Sequence, residues 1–215
     1  KLQDVVLSNN MSHPEIAIGG GIYNAGNAVL TLENVLIADN RANYGGAGIA
    51  NVDNAVIYMS NTKVTANSID TSSNAGGGIA NRGHGKIWIQ IAPNGDWLPG
   101  SSEIAGNDAG GAAAFINDGE LRMVHTLVQG NTSLNGWNAI ANGGFLSIVE
   151  SRISGNGTGE GYGGAMLNYG TLEFVRSLMY GNSAMQGTGG LTNSGRATIS
   201  NSTIAYHNTR EDMGA

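Results

Sequence analysis

The sequence predicts an all-β fold in which the chain winds as a parallel solenoid, a single-stranded β-helix. Three observations predict it. Glycine supplies 35 of the 215 residues and asparagine 26, while charged residues make up 12% and prolines number 3. Short runs of alternating apolar residues recur along the chain. Asparagine returns at similar intervals in two separate columns. Gly and Asn are poor residues for helix interiors, so a helical bundle is disfavoured. The absence of cysteine excludes a disulfide scaffold and thiolate metal sites. With 40% apolar residues the chain can bury a core. A net charge of -6 argues against nucleic acid as the partner, because phosphate binding needs a basic surface. No apolar run approaches the roughly 18 residues of a membrane-spanning helix.

The repeating unit reads GG-x-Φ-x-N-x-G, then Φ-x-Φ-x-x-[ST]-x-Φ-x-x-N, with Φ apolar. It is plainest at 20–40 (GGIYNAGNAVLTLENVLIADN) and at 163–182 (GGAMLNYGTLEFVRSLMYGN). The first asparagine column is Asn24, Asn51, Asn81, Asn117, Asn142, Asn168 and Asn193, with spacings of 27, 30, 36, 25, 26 and 25. The second is Asn10, Asn40, Asn67, Asn107, Asn131, Asn156 and Asn182, with His207 at the next place. Thr62, Ser102, Thr126, Ser151, Ser177 and Ser202 form a third, hydroxyl column.

Within each unit the apolar residues alternate, as in Leu30 and Leu32, Leu146 and Ile148, or Leu172 and Phe174. A period of two means strands. Gly, Asn or Ser separates the runs, which gives three short strands per turn of about 25 residues, over seven to eight turns. Stacking at strand spacing places like residues above one another. Asparagine suits the corners because it tolerates left-handed backbone angles, and its amides can hydrogen-bond along a column.

Insertions interrupt the unit near 11–18, 68–75 and 90–100, with a shorter excursion at 132–138. The longest carries Asp96, Trp97 and the turn signal Pro93-Asn94-Gly95. The first residues, KLQDVVLSNN, align with 32–40 and so begin in mid-turn, and the last, TREDMGA, stop where another turn could start. Uncovered strand edges invite pairing. The expectation is therefore one β-helix domain over 1–215 that is a segment of a longer chain or is capped by partners.

The signature GGGIYNAGNAVLTLENVLIADN and its variants resemble bacterial right-handed β-helix repeats, as found in polymorphic-outer-membrane-protein-like and cell-surface-anchored proteins. The resemblance spans nearly the whole chain. It implies a right-handed helix, in keeping with the usual crossover chirality, and a secreted or cell-surface location. It does not fix an activity, since polysaccharide lyases, hydrolases and epimerases also use this fold.

The outward positions are where catalytic chemistry would have to sit. The column before the first asparagine holds Tyr23, Ala50, Ala80, Ile116, Ala141, Leu167 and Thr192, with no acid–base pair. The next sheet presents Thr31, Tyr58, Trp88, Arg122, Ser147, Glu173 and Thr198, then Glu33, Ser60, Gln90, Val124, Val149, Val175 and Ser200. Arg122 and Glu173 are two turns apart, with no second carboxylate in register. Lys63 and Glu103 fit a cross-strand ion pair. The histidines lack metal-ligand spacing. Of the four N-x-[ST] sites, Asn10, Asn131 and Asn156 are ladder residues and Asn201 is not.

Two candidate surfaces emerge. Ile116 and Leu167, Val124, Val149 and Val175, and Leu127 and Leu178 would form an apolar flank, a candidate partner interface. Trp88, Trp97, Arg122 and Asp96, with Trp137 and Glu173, are candidate ligand contacts if they converge. No catalytic residue, metal or cofactor is assigned. The expected function is a non-catalytic extracellular rod with a structural, adhesive or assembly role. Its partners would be other chains or further coils at the rod ends and the apolar flank. The alternative is a polysaccharide lyase, hydrolase or carbohydrate-binding module.

Overall fold

The computed structural model describes residues 1–12, 18–69, 75–134, 138–158 and 163–209. Every strand in them pairs in parallel with its counterpart one coil away, and four sheets run the length of the rod. Sheet I has seven strands, from Ile22–Asn24 to Leu191–Asn193. Sheet II has eight, from Leu2–Gln3 to Arg196–Ser200. Sheet III has eight, from Val6–Ser8 to Thr203–Ala205. Sheet IV has seven strands of two residues each, from Arg41–Ala42 to Asn208–Thr209. This fourth sheet adds to the three strands expected per coil; two residues are too few to show a period. Eight strands at about 4.8 Å make a rod of about 34 Å.

The core consists of vertical files. Leu32, Met59, Ile89, Met123, Ile148 and Phe174 lie in register through sheet II, each at most 1% exposed. The same holds for Ile37, Val64, Ile104, Val128, Ile153 and Met179 in sheet III. Inward burial of alternate residues is what forces the strand alternation seen in the sequence.

Three corners are closed by buried polar columns. In the first, Nδ2 of Asn24 donates to Oδ1 of Asn51 at 2.8 Å, and the pattern repeats unbroken to Asn193 at 2.7–2.8 Å. Each amide also serves the turn beside it: Asn81 Nδ2 donates to Gly85 O at 2.9 Å and to Glu120 O at 3.1 Å. This crowding explains Gly85, whose added Cβ would lie 2.5 Å from Asn81 Oδ1. In the second column the backbone N–H and the Nδ2 of one asparagine both donate to the next Oδ1, as from Asn67 to Asn107 at 3.0 Å. In the third, Thr126 N–H donates to Ser151 Oγ, Ser151 to Ser177 and Ser177 to Ser202, at 3.0–3.1 Å. The fourth corner, between sheets IV and I, has no such column among the described residues and takes most of the excursions.

Four expectations need correction. Ile116 and Leu167 point outward but are only 5% and 8% exposed. Ala112, in the connection between sheets IV and I, packs against Ala80 and Ile116. Val124 is 1% exposed, because the 90–100 insertion settles on its corner. Gln90 is fully buried rather than outward. Its Oε1 accepts from Asn61 N–H at 2.7 Å and from Ser102 Oγ at 3.1 Å, and its Nε2 donates to Pro99 O at 3.0 Å. It thereby ties the base of the insertion into the hydroxyl column. Ser68–Ile69 is a strand of sheet IV, so the second insertion starts after it. Residues 13–17 and 70–74 of the first two insertions lie outside the described residues.

Asn117→Ala removes an acceptor from Asn81 and leaves buried groups unpaired, so it should cost about 2–3 kcal/mol. Asn193→Ala, at the exposed last place, should cost less than about 1 kcal/mol. Calorimetric unfolding of the two variants checks the contrast.

Candidate functional site

The corner between sheets II and III turns through one left-handed residue per coil. Asp4, Asn34, Asn61, Gln90, His125, Glu150, Arg176 and Asn201 all have φ between 45° and 58°. Asparagine, aspartate and histidine take this conformation more readily than other residues with a side chain, whereas Gln, Glu and Arg do so less readily. His125, Glu150 and Arg176 are consecutive at this corner, and they interact. His125 Nε2 meets Glu150 Oε2 at 2.9 Å, and Arg176 Nε donates to Glu150 Oε1 at 2.8 Å. Hydrogen bonds from Arg176 and then His125 hold the Glu150 carboxyl below its ordinary value of 4.5.

The 90–100 insertion leaves the rod at this corner and leans toward the later coils. Ile91 and Trp97 form an antiparallel bridge at its neck. The Trp97 ring stands edge-on to His125, with centroids 5.8 Å apart, and the Arg176 guanidinium lies 5.7 Å from its centre. Trp97 remains 47% exposed. Beside it an open groove of about 590 Å³ runs along sheet III, with His125, Glu150 and Arg176 on one wall and Leu127, Arg152 and Leu178 beneath. Arg152 donates from Nε to Ser154 Oγ at 3.2 Å and lies over the Tyr180 ring.

The remaining candidates lie elsewhere. Trp88 is on sheet II, edge-on to Tyr58, and its Nε1 donates to Glu120 Oε1 at 3.2 Å. Arg122 pairs with the same carboxylate at 2.6 Å and covers Phe145. Partial burial would raise the Glu120 carboxyl, but Arg122, Lys86 and Trp88 together outweigh it and hold it below its ordinary value. Asp96 accepts from Asn94 within its own turn. The cleft expected from Trp88, Trp97, Arg122 and Asp96 therefore does not form. Trp97 joins the His125 corner, and Arg122 stays with Trp88. Glu173 is separated from Arg122 by Ser147 in the register. Trp137 lies outside the described residues. Lys63 and Glu103 pair at 3.4 Å, as expected.

Of the apolar flank, Leu178 is 36% exposed, and Val149, Val175 and Leu127 are half-buried. Val149 and Val175 stack in register along one side of the charged corner, and Leu127 and Leu178 lie on the other. Sequence reasoning did not find the row. The available signal was that Glu150 and Arg176 follow His125 at the repeat spacing, at the place Asn34 and Asn61 occupy in earlier coils.

No family model matches the chain, and neither the curated proteins nor the solved structures contain a match to it. The likeness to bacterial β-helix repeats thus rests on the repeat and on the parallel solenoid it forms.

Glu150→Gln should loosen His125 and Arg176 and release Trp97 toward water. A red shift of Trp97 emission, read in a variant with Trp88 and Trp137 replaced by Phe, checks this. In the parent the contact should persist as pH falls through 4.5 and be lost only as pH passes the lowered value.

Proposed function

We propose that the chain is a non-catalytic rod of an extracellular bacterial surface protein, which holds the Trp97 corner at a fixed place and stacks on further coils at its ends. The observation that carries the assembly role is the state of the last coil. Ile199 is 44% and Ile204 37% exposed, although they continue the files of Phe174 and Met179, which are fully buried. At the other end, Leu2 and Leu7 are only partly covered where they continue the files of Leu32 and Ile37. Core residues in these positions are covered wherever a neighbouring coil exists. A further parallel coil would pair the open backbone edge and cover these side chains in the same step. Among the described residues, charged groups on the flanks are engaged in pairs such as Arg82 with Asp118 and Lys86 with Glu120. That supports a structural surface over a catalytic one.

A second reading, a carbohydrate-contact surface at the same corner, is favoured by one observation. Trp97 presents part of an aromatic ring beside a groove that also carries Arg152 and Arg176. Sugar rings offer C–H faces to such a ring and hydroxyl or carboxylate groups to guanidinium nitrogens.

Sedimentation velocity over a range of concentrations tests the assembly role. The chain should self-associate, and Ile199→Asp with Ile204→Asp should abolish association while keeping the β-rich circular dichroism. A parent that is monomeric at every concentration and binds no coil-terminated fragment of itself contradicts end stacking. Titration with acidic and neutral oligosaccharides, followed by Trp97 emission, decides the second reading.

A further inference from the structure

The second asparagine column ends in a residue that is not asparagine. In each earlier coil the asparagine does two jobs. Its Oδ1 accepts the backbone N–H of the asparagine before it, at 2.9–3.0 Å from Asn67 to Asn182. Its Nδ2 donates to a core-strand carbonyl of the preceding coil: Asn131 to Ile104 O, Asn156 to Val128 O and Asn182 to Ile153 O.

His207 takes over both places. Its Nδ1 accepts the Asn182 backbone N–H at 3.4 Å. Its Nε2 is buried beside the Met179 carbonyl, which follows Ile153 in the register, and approaches it without completing a hydrogen bond. The glycines show the same substitution independently. A Cβ on Gly21, Gly48 or Gly78 would lie 3.0 Å from the Nδ2 of Asn40, Asn67 or Asn107, and a Cβ on Gly190 would lie 3.0 Å from His207 Nε2. The imidazole is therefore a positional mimic of the amide, with Nδ1 for Oδ1 and Nε2 for Nδ2.

The mimicry holds for one protonation state. A neutral ring with its proton on Nε2 offers an acceptor to Asn182 and a donor toward Met179. A protonated ring turns Nδ1 into a donor that faces the Asn182 N–H, so two donors meet and the column ends one coil sooner. Asparagine cannot do this, because its amide does not titrate.

We propose that His207 is an acid-sensitive lock on the last described coil, which holds residues 203–209 against the rod when neutral and releases them when protonated. Among the described residues, the groups packed on the ring are Met179, Asn182, Gly189 and Gly190, none of them titratable. Of the neighbouring titratable side chains, Tyr180 lies under Arg152 and Tyr206 is 87% exposed. Arg210, Glu211 and Asp212 fall beyond the described residues. Burial pushes the His207 imidazole below its ordinary value of 6.5, against smaller opposing contributions from the Asn182 and Met179 backbone. A lowered folded-state value means that stability is complete above about 6.5 and falls as pH drops from there toward the lowered value.

The test is amide hydrogen exchange of residues 203–209 in the full chain at about pH 7.5 and about pH 5, corrected for intrinsic exchange, with His207→Asn and His207→Ala beside the parent. The parent should lose protection relative to His207→Asn on acidification, in the direction set by the lowered imidazole value. His207→Asn should stay protected at both values, and His207→Ala should be poorly protected at both. Nitrogen-15 chemical shifts should show a neutral His207 with its proton on Nε2 at the higher pH. The same pH response in the parent and His207→Asn overturns the proposal, as does full protection of His207→Ala at the higher pH or a proton on Nδ1.

Discussion

The structure depends on one constraint: at three of the four corners, the buried side-chain oxygen of one coil must lie within hydrogen-bond reach of the coil before it. Where the chain turns inside a solenoid, backbone and side-chain donors are cut off from water, and leaving one unpaired costs about 1–3 kcal/mol. The ladders meet this need with partners supplied by the adjacent coil as well as by the same coil. Asn117 receives from Asn81 and donates to Asn142, so a coil shifted by one residue would break two coils at once. Register, normally set by which face is buried, is thus fixed a second time by the corner amides. The apolar files follow from it, since Leu32 stacks on Met59 only if Asn24 stacks on Asn51.

The same constraint explains where the chain is free to vary. Three corners carry columns, and an insertion there must restore what it interrupts. The 90–100 insertion does so through Gln90, whose amide bonds Asn61, Ser102 and Pro99 and fills the space that the longer coil opens in the hydroxyl column. The fourth corner has no such column among the described residues, and chain length varies freely there. The cost of the long insertion is met inside the rod, and its tip is then available outside. Trp97, His125, Glu150 and Arg176 are brought together by this arrangement, although the first is 28 or more residues from the others along the chain.

The fold was legible in the sequence because its determinants are periodic. The two asparagine columns, the hydroxyl column and the strand alternation could be aligned by spacing alone, and the register follows those alignments residue by residue. Surface character was less legible. Ile116 sits on an outward column, yet Ala112, in a connection that lacks the repeat, packs against it, and no periodic rule says where such a connection folds. Trp97 was visible as an exposed aromatic in an insertion, but the direction of its lean depends on the neck formed by Ile91 and Gln90. The His125 row escaped because each residue, taken alone, looks like an ordinary charged turn residue. It has meaning only when the corner position is compared from coil to coil, the comparison that also singles out His207.

Exchange of the side-chain amide protons of the ladder asparagines, followed residue by residue by NMR, tests the account most directly. The Nδ2 protons of Asn51, Asn81, Asn117 and Asn142 should be strongly protected and remain so until the rod unfolds, while those of Asn193 exchange quickly. Rapid exchange at the four interior positions in a folded protein would contradict the claim that the amide columns set the register.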